Sequence, residues 1–156
     1  EDDRHLIGVK GSLPWHLPKE LNHFKEMTMG QALLMGRVTF DGMNRRVLPG
    51  RDTLILTHDP QFKAEGVSIV HSVPEALSWY RQQDKSLFIV GGASIYKAFE
   101  SYYDKIIKTS VHGQFEGDTY FPLRDFSSFQ EISQAFFEKD ENNSHDFTVT
   151  VLEKKE

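Results

Sequence analysis

Cysteine is absent from this chain, so neither a disulfide framework nor a thiolate metal site can form. No apolar run approaches the roughly 18 residues that a membrane-spanning helix requires, and the opening residues EDDRH do not resemble a secretory signal. Basic tracts are missing as well. With a formal net charge of −5, the chain is a poor partner for nucleic acid, although Arg45, Arg46 and Arg51 could grip a small anion. The seven histidines are scattered without H-x-x-x-H or H-x-E spacing, which leaves no metal site to predict. There is no G-x-S-x-G elbow, and without a thiol a hydrolytic triad has little support. The missing cysteine fits a reducing cytoplasm, and the expectation is a soluble, intracellular protein.

The 156 residues suit one domain spanning 1–156, and a hydrophobic fraction of 38% suits a folded globule. Residues 14–26, PWHLPKELNHFKE, predict a short helix opened by Pro18, whose missing N–H is one that a first helical turn leaves unpaired anyway. Leu17, Leu21 and Phe24 recur at i, i+4 and i+7, and Glu20 falls inside that apolar stripe. Two readings stay open. Glu20 is either an ordinary first-turn acid that complements the helix dipole, or a carboxylate at the floor of an apolar cleft with a raised pKa.

Downstream, QALLMG (31–36) reads as a buried strand and RVTFDGM (37–43) as a short helix, followed by an LPGR turn at 48–51. DTLILT (52–57) and VSIV (67–70) read as strands. Ser72 and Glu75 form a capping-box pattern ahead of a helix over roughly 73–83. SLFIVGGASIYKAF (86–99) runs strand, Gly-Gly, helix, and DKIIKTSVHG (104–113) is another strand. Strands alternating with helices predict an α/β fold, with a mostly parallel central sheet flanked by helices. Residues 128–138 and 145–153, either side of KDENNS, predict a C-terminal antiparallel hairpin at the sheet edge.

Three stretches are candidates for chemistry. In VGGAS (90–94) a strand turns into a helix through two glycines, which is either a tight structural turn or a place where backbone N–H groups meet a phosphate. In MGRVT (35–39) another strand ends in glycine, and Arg37 and Thr39 are either surface residues or a second phosphate contact. Two such turns at the carboxyl ends of strands point toward a dinucleotide. In PWHLP the two prolines hold Trp15, which either plugs a core edge or belongs to the site.

Taken in order and spacing, IGVKGSLPWHLPKELNHFK, LLMGRVTF, LPGR, LFIVGGASIY and EGDTYFP closely resemble bacterial dihydrofolate reductase over essentially the whole chain. The resemblance implies a mostly parallel sheet of eight strands and hydride transfer from NADPH to dihydrofolate. It also implies binding of antifolate inhibitors and a monomeric form, with no nucleic-acid or membrane partner. Glu20 matches the acid that binds the pterin through its amide and amino groups and promotes protonation at N5. Thr109, in IIKTS, matches the hydroxyl that supports this acid. Trp15 matches the holder of a bridging water, and Leu13 belongs to the loop that closes on the nicotinamide.

The resemblance further assigns Leu21, Phe24, Met43 and Val90 to the walls of the folate pocket, and Arg51 to the substrate's glutamate carboxylate. Gly91, Gly92, Ala93, Ser94, Ile95 and Tyr96 match the pyrophosphate turn, whose Gly-Gly peptide is cis in the family. Arg37, Thr57 and His58 match the region around the adenosine 2′-phosphate, and Gly36, Val38 and Thr39 are further cofactor-binding positions. The family begins with an apolar strand ahead of the segment seen here at 1–6, so residues upstream of Glu1 are expected, and PLRDF (122–126) is a surface variation. A ribityl-pyrimidine reductase would keep the cofactor turns without PWxLPxEL, and a silent nucleotide-binding module would make Glu20 dispensable.

Overall fold

A computed structural model describes residues 1, 6–8, 17–114, 119–120 and 127–155, with the backbone alone described at 6–8 and 119–120. Contacts group the chain into two compact units, residues 24–99 and residues 1–23 with 100–156.

The unit of residues 24–99 is built on parallel strands. β2 (Ala32–Gly36), β3 (Asp52–Leu56), β4 (Ser68–Val70) and β5 (Leu87–Ile89) form a sheet in the order β4-β3-β2-β5. β2 is buried at every position, as expected for a strand covered on both faces. Its alternation places Leu33 and Met35 in a core with Ile55, Phe40 and Phe62, against which Phe24, Met43 and Val90 pack half-buried. Helices α2 (Arg37–Gly42) and α3 (Val73–Arg81) pack against the strands, and the short α4 (Ala93–Ala98) follows β5.

Ser72 caps α3 as predicted, its Oγ accepting the Glu75 N–H at 3.2 Å. The reciprocal half of the box is displaced by one residue: the Glu75 carboxylate accepts from the His71 N–H at 3.1 Å. Either pairing satisfies one donor ahead of the helix.

In the other unit, β6 (Lys105–Val111), β8 (Phe129–Phe137) and β9 (Phe147–Lys154) form an antiparallel sheet in the order β6-β9-β8. The predicted hairpin is β8-β9, with β9 as the middle strand. Leu17, Val111, Phe147 and Val149 are its core, and the Phe137 and Phe147 rings stack with centroids 4.8 Å apart. Backbone groups of Glu1 pair with β6: the Val111 N–H donates to the Glu1 carbonyl at 2.7 Å. One pairing was not foreseen. β1 (Leu6–Gly8) runs antiparallel to β7 (Thr119–Tyr120), two segments too short for periodicity to reveal.

Helix α1 (Pro18–Thr28) begins in this unit. Leu17 stands at its N-cap and has no side-chain acceptor to offer the first turn. Asn143, from the β8-β9 connection, supplies one: its Oδ1 accepts the Lys19 N–H at 2.9 Å across 124 residues of sequence. Asn143 is 2% exposed, and its amide donates to Asp140 Oδ1 at 2.8 Å. Asp140 also pairs with Lys19 Nζ at 3.0 Å. The hydrogen bond from Asn143, followed by the Lys19 contact, holds the Asp140 carboxyl well below the ordinary range. Replacing Asn143 by alanine removes a cap and leaves a helix N–H unpaired, so urea unfolding should show a loss of about 1–2 kcal/mol. Asn143→Asp keeps the acceptor but sets a second carboxylate against Asp140, where the amide now donates at 2.8 Å, so it should not recover the loss at neutral pH.

Candidate active site

Glu20 is the third residue of α1, and its N–H reaches back to the Leu17 carbonyl at 3.0 Å. At this position Glu20 is a first-turn acid that is also half-buried. Leu17 is buried beneath it at 2% exposure, and Thr109 of β6 donates its hydroxyl to Glu20 Oε1 at 3.2 Å. Strand alternation explains the hydroxyl's direction. Ile107, Thr109 and Val111 alternate with Lys108, Ser110 and His112, and the second set lines a shallow depression of about 330 Å³ that does not include Glu20.

Burial raises the Glu20 pKa, outweighing the lowering effects of the Thr109 hydroxyl and His23. A carboxyl raised in this way is a candidate for proton exchange with a bound ligand. The apolar stripe around it is only partly realised. Leu17 is buried and Phe24 half-buried, but Leu21 is 52% exposed, because an 11-residue helix packed on one side turns part of a broad stripe to solvent. Trp15 and Leu13 lie outside the described residues.

A second set of residues lies within 24–99. β2, β3 and β4 are laid down successively in one direction across the sheet, and β5 then pairs on the opposite side of β2. The direction of winding therefore reverses between β2 and β5, the position where open α/β sheets bind ligands beyond the carboxyl ends of their strands. Both glycine turns are there. The Gly36 N–H donates to the Gly91 carbonyl at 2.8 Å, which ties the end of β2 to the turn after β5. A Cβ on Gly36 would come within 2.9 Å of the Ile95 side chain, so the close approach of α4 requires glycine.

The Gly91-Gly92 peptide is cis. A Cβ on Gly92 would stand 3.5 Å from Thr39 Oγ1 and project into the space that the two turns share. Bare backbone beside a hydroxyl, at the reversal point of the sheet, fits a phosphate-bearing ligand. Ala93, Ile95 and Tyr96 are half-buried in the first turn of α4, whereas Ser94 and Val38 are exposed.

Thr57 follows β3 at the same end of the sheet, with its N–H on the Val70 carbonyl at 3.0 Å, and His58 beside it is exposed. Arg37 opens α2 and pairs with Asp59 at 3.2 Å, a partner that the sequence pattern did not disclose. Arg51 lies in the same unit and donates to the Pro49 carbonyl at 3.1 Å and to Thr28 Oγ1 at 3.3 Å. Those bonds orient a guanidinium that carries five N–H donors in all. Among the described residues, no group of three or more His, Asp or Glu could hold a metal ion, and no helix is long and apolar enough to cross a membrane.

The raised Glu20 pKa has a consequence for stability. The folded carboxyl binds its proton more tightly than the unfolded one, so stability falls as pH rises from the ordinary glutamate value of 4.5 through the raised folded value. Glu20→Gln should therefore be more stable than the parent at pH 7, and the gain should vanish below that window. Thermal midpoints measured across the acid-to-neutral range check both halves.

Comparison with known proteins agrees with this geometry. The family model described as dihydrofolate reductase matches residues 1–154. The dihydrofolate reductase of Lactococcus lactis subsp. lactis (strain IL1403) is 52% identical over 157 residues, covering 99% of this chain and 94% of the relative. That of Bacillus subtilis (strain 168) is 36% identical over 154 residues, covering 99% and 90%. Among solved structures, dihydrofolate reductase from Enterococcus faecalis, complexed with NADP(H) and RAB-propyl, superimposes with a TM-score of 0.97 at 37% identity. That match covers 100% of this chain and 93% of the other. With a family model matched over residues 1–154 and a relative 52% identical across nearly all of its length, the chain belongs to the dihydrofolate reductase family.

Proposed function

We propose that Glu20 is the proton-handling residue of an NADPH-dependent reduction of 7,8-dihydrofolate to tetrahydrofolate. The observation that carries this reading is the half-buried carboxyl with its raised pKa, held by the Thr109 hydroxyl. A pterin offers an amide and an amino group side by side, which a single carboxylate accepts as two parallel hydrogen bonds. NADPH, when bound, supplies the hydride that goes to C6.

Glu20 does the rest of the acid-base work. Its carboxylate fixes the ring and promotes protonation at N5 through water, and burial raises its proton affinity above the ordinary glutamate value. Thr109 orients the carboxylate by donating to Oε1. Trp15 is the residue expected to hold the bridging water, and Leu13 belongs to the loop expected to close over the nicotinamide.

Met43, Phe24, Leu21 and Val90 supply apolar wall for the pteridine and benzoyl groups. Arg51, steadied by Pro49 and Thr28, pairs with the glutamate carboxylate. Gly36, Thr39, Gly91, Gly92, Ala93, Ser94, Ile95 and Tyr96 would hold the pyrophosphate end of NADPH, and Arg37, Val38, Thr57 and His58 the adenosine 2′-phosphate. We also read residues 1–156 as one catalytic domain, acting as a cytoplasmic monomer and open to antifolate inhibitors.

Mixing the protein with NADPH and dihydrofolate and following NADPH absorbance tests the activity. Steady decay is expected, and a folded protein that consumes no NADPH would contradict it. Glu20→Gln should slow hydride transfer by about 10²-fold or more near pH 7 and progressively less toward acid, where solvent supplies the proton. A rate that matches the parent at every pH would remove Glu20 from the mechanism.

A further inference from the structure

In the unit of residues 24–99 two arginines, each paired with an aspartate, lie over one buried ring. Phe62 is 7% exposed, and the guanidinium carbons of Arg37 and Arg45 each lie 5.1 Å from its centroid. Arg45 pairs with Asp41 at 2.8 Å, and Arg37 stands 3.7 Å from the same carboxylate. The nearer acid to Arg37 is Asp59, whose Oδ2 takes a hydrogen bond from Nη1 at 3.2 Å. Two arginines and two aspartates sum to no formal charge.

Asp59 is held in place by its own loop. Its Oδ1 accepts the Gln61 N–H at 2.9 Å, and its own N–H donates to Thr57 Oγ1 at 3.2 Å. A carboxylate fixed on both sides stays beside Arg37, unlike a mobile surface acid that swings away when an anion arrives. Thr57 and His58 immediately precede it, so the acid sits within the group assigned to the 2′-phosphate.

We propose that Asp59 is a specificity-determining residue that moderates the preference for NADPH over NADH. It occupies one donor of Arg37 and places a fixed negative charge beside the anion that Arg37 would bind. This inference rests on the reading of Arg37 as the 2′-phosphate contact. A phosphate dianion meets a neutralised cluster in place of a bare cation, and the repulsion is felt only by ligands that carry that phosphate. The Asp59 side chain is 42% exposed, so screening limits the size of the effect and makes it depend on salt.

The test is binding alone, by calorimetry, with NADPH and NADH and with adenosine 2′,5′-bisphosphate and AMP as probes that lack the nicotinamide. Asp59→Asn keeps an acceptor for the Gln61 N–H and removes the charge. It should tighten NADPH and the bisphosphate about two- to fivefold, as expected for an exposed ion pair, and leave NADH and AMP unchanged. Asp59→Ser, which also retains a local acceptor, should behave the same way. The gain should shrink at high salt. Weaker or unaltered binding of the 2′-phosphorylated ligands in both Asp59 variants overturns the proposal, because Asp59 would then be a brace for Arg37 or a bystander. The two readings fail separately. If Arg37→Ala weakens NADPH and NADH equally, the phosphate assignment falls and this inference falls with it. If Arg37→Ala is selective and the Asp59 variants are not, only the inference is lost.

Discussion

A carboxylate removed from water destabilises the fold unless something nearby compensates it, and the burial of Glu20 imposes that condition on its whole neighbourhood. The Thr109 hydroxyl gives one hydrogen bond, and strand alternation along β6 decides that Thr109, not Lys108 or Ser110, faces the acid. The helix that carries Glu20 needs a cap that its own sequence does not provide. Asn143 provides it from the β8-β9 connection, which is itself pinned by Asp140 and Lys19. The antiparallel unit thus holds one acid at one height, partly against its preference for solvent.

The parallel unit solves a different problem with backbone alone. On the proposed reading a pyrophosphate meets the two glycine turns, which lie where the sheet reverses its winding between β2 and β5. Gly36 lets α4 come close, and its N–H bond to Gly91 keeps the two turns together. Side-chain charge enters at the edge of this unit, where Arg37 is already paired. On the proposed reading, cofactor preference depends on the balance within this neutral cluster as well as on the arginine itself.

Much of this was legible in the sequence, for physical reasons that differ from place to place. Apolar runs bounded by turn residues marked β2 and β3, because strands buried on both faces contain little else. Ser72 announced α3, although the partner of Glu75 proved to be one residue earlier. The apolar stripe pointed Glu20 inward but could not separate it from a helix-end acid, since the residue is both. What stayed hidden depends on distant segments meeting. Asn143 caps a helix 124 residues away, and Asp59 reaches Arg37 across 22 residues. Neither follows from period or composition. Leu21 misled for a related reason, because a wide apolar stripe does not say which part the rest of the protein will cover.

The most direct measurement is the titration of Glu20 itself, followed through its side-chain carboxyl carbon by NMR and assigned by its loss in Glu20→Gln. The midpoint should lie above the ordinary value of 4.5 and rise further in Thr109→Val, where the stabilising hydroxyl is gone. A midpoint at or below 4.5, indifferent to Thr109, would make Glu20 a solvated helix-end acid and contradict its role as the proton-handling residue.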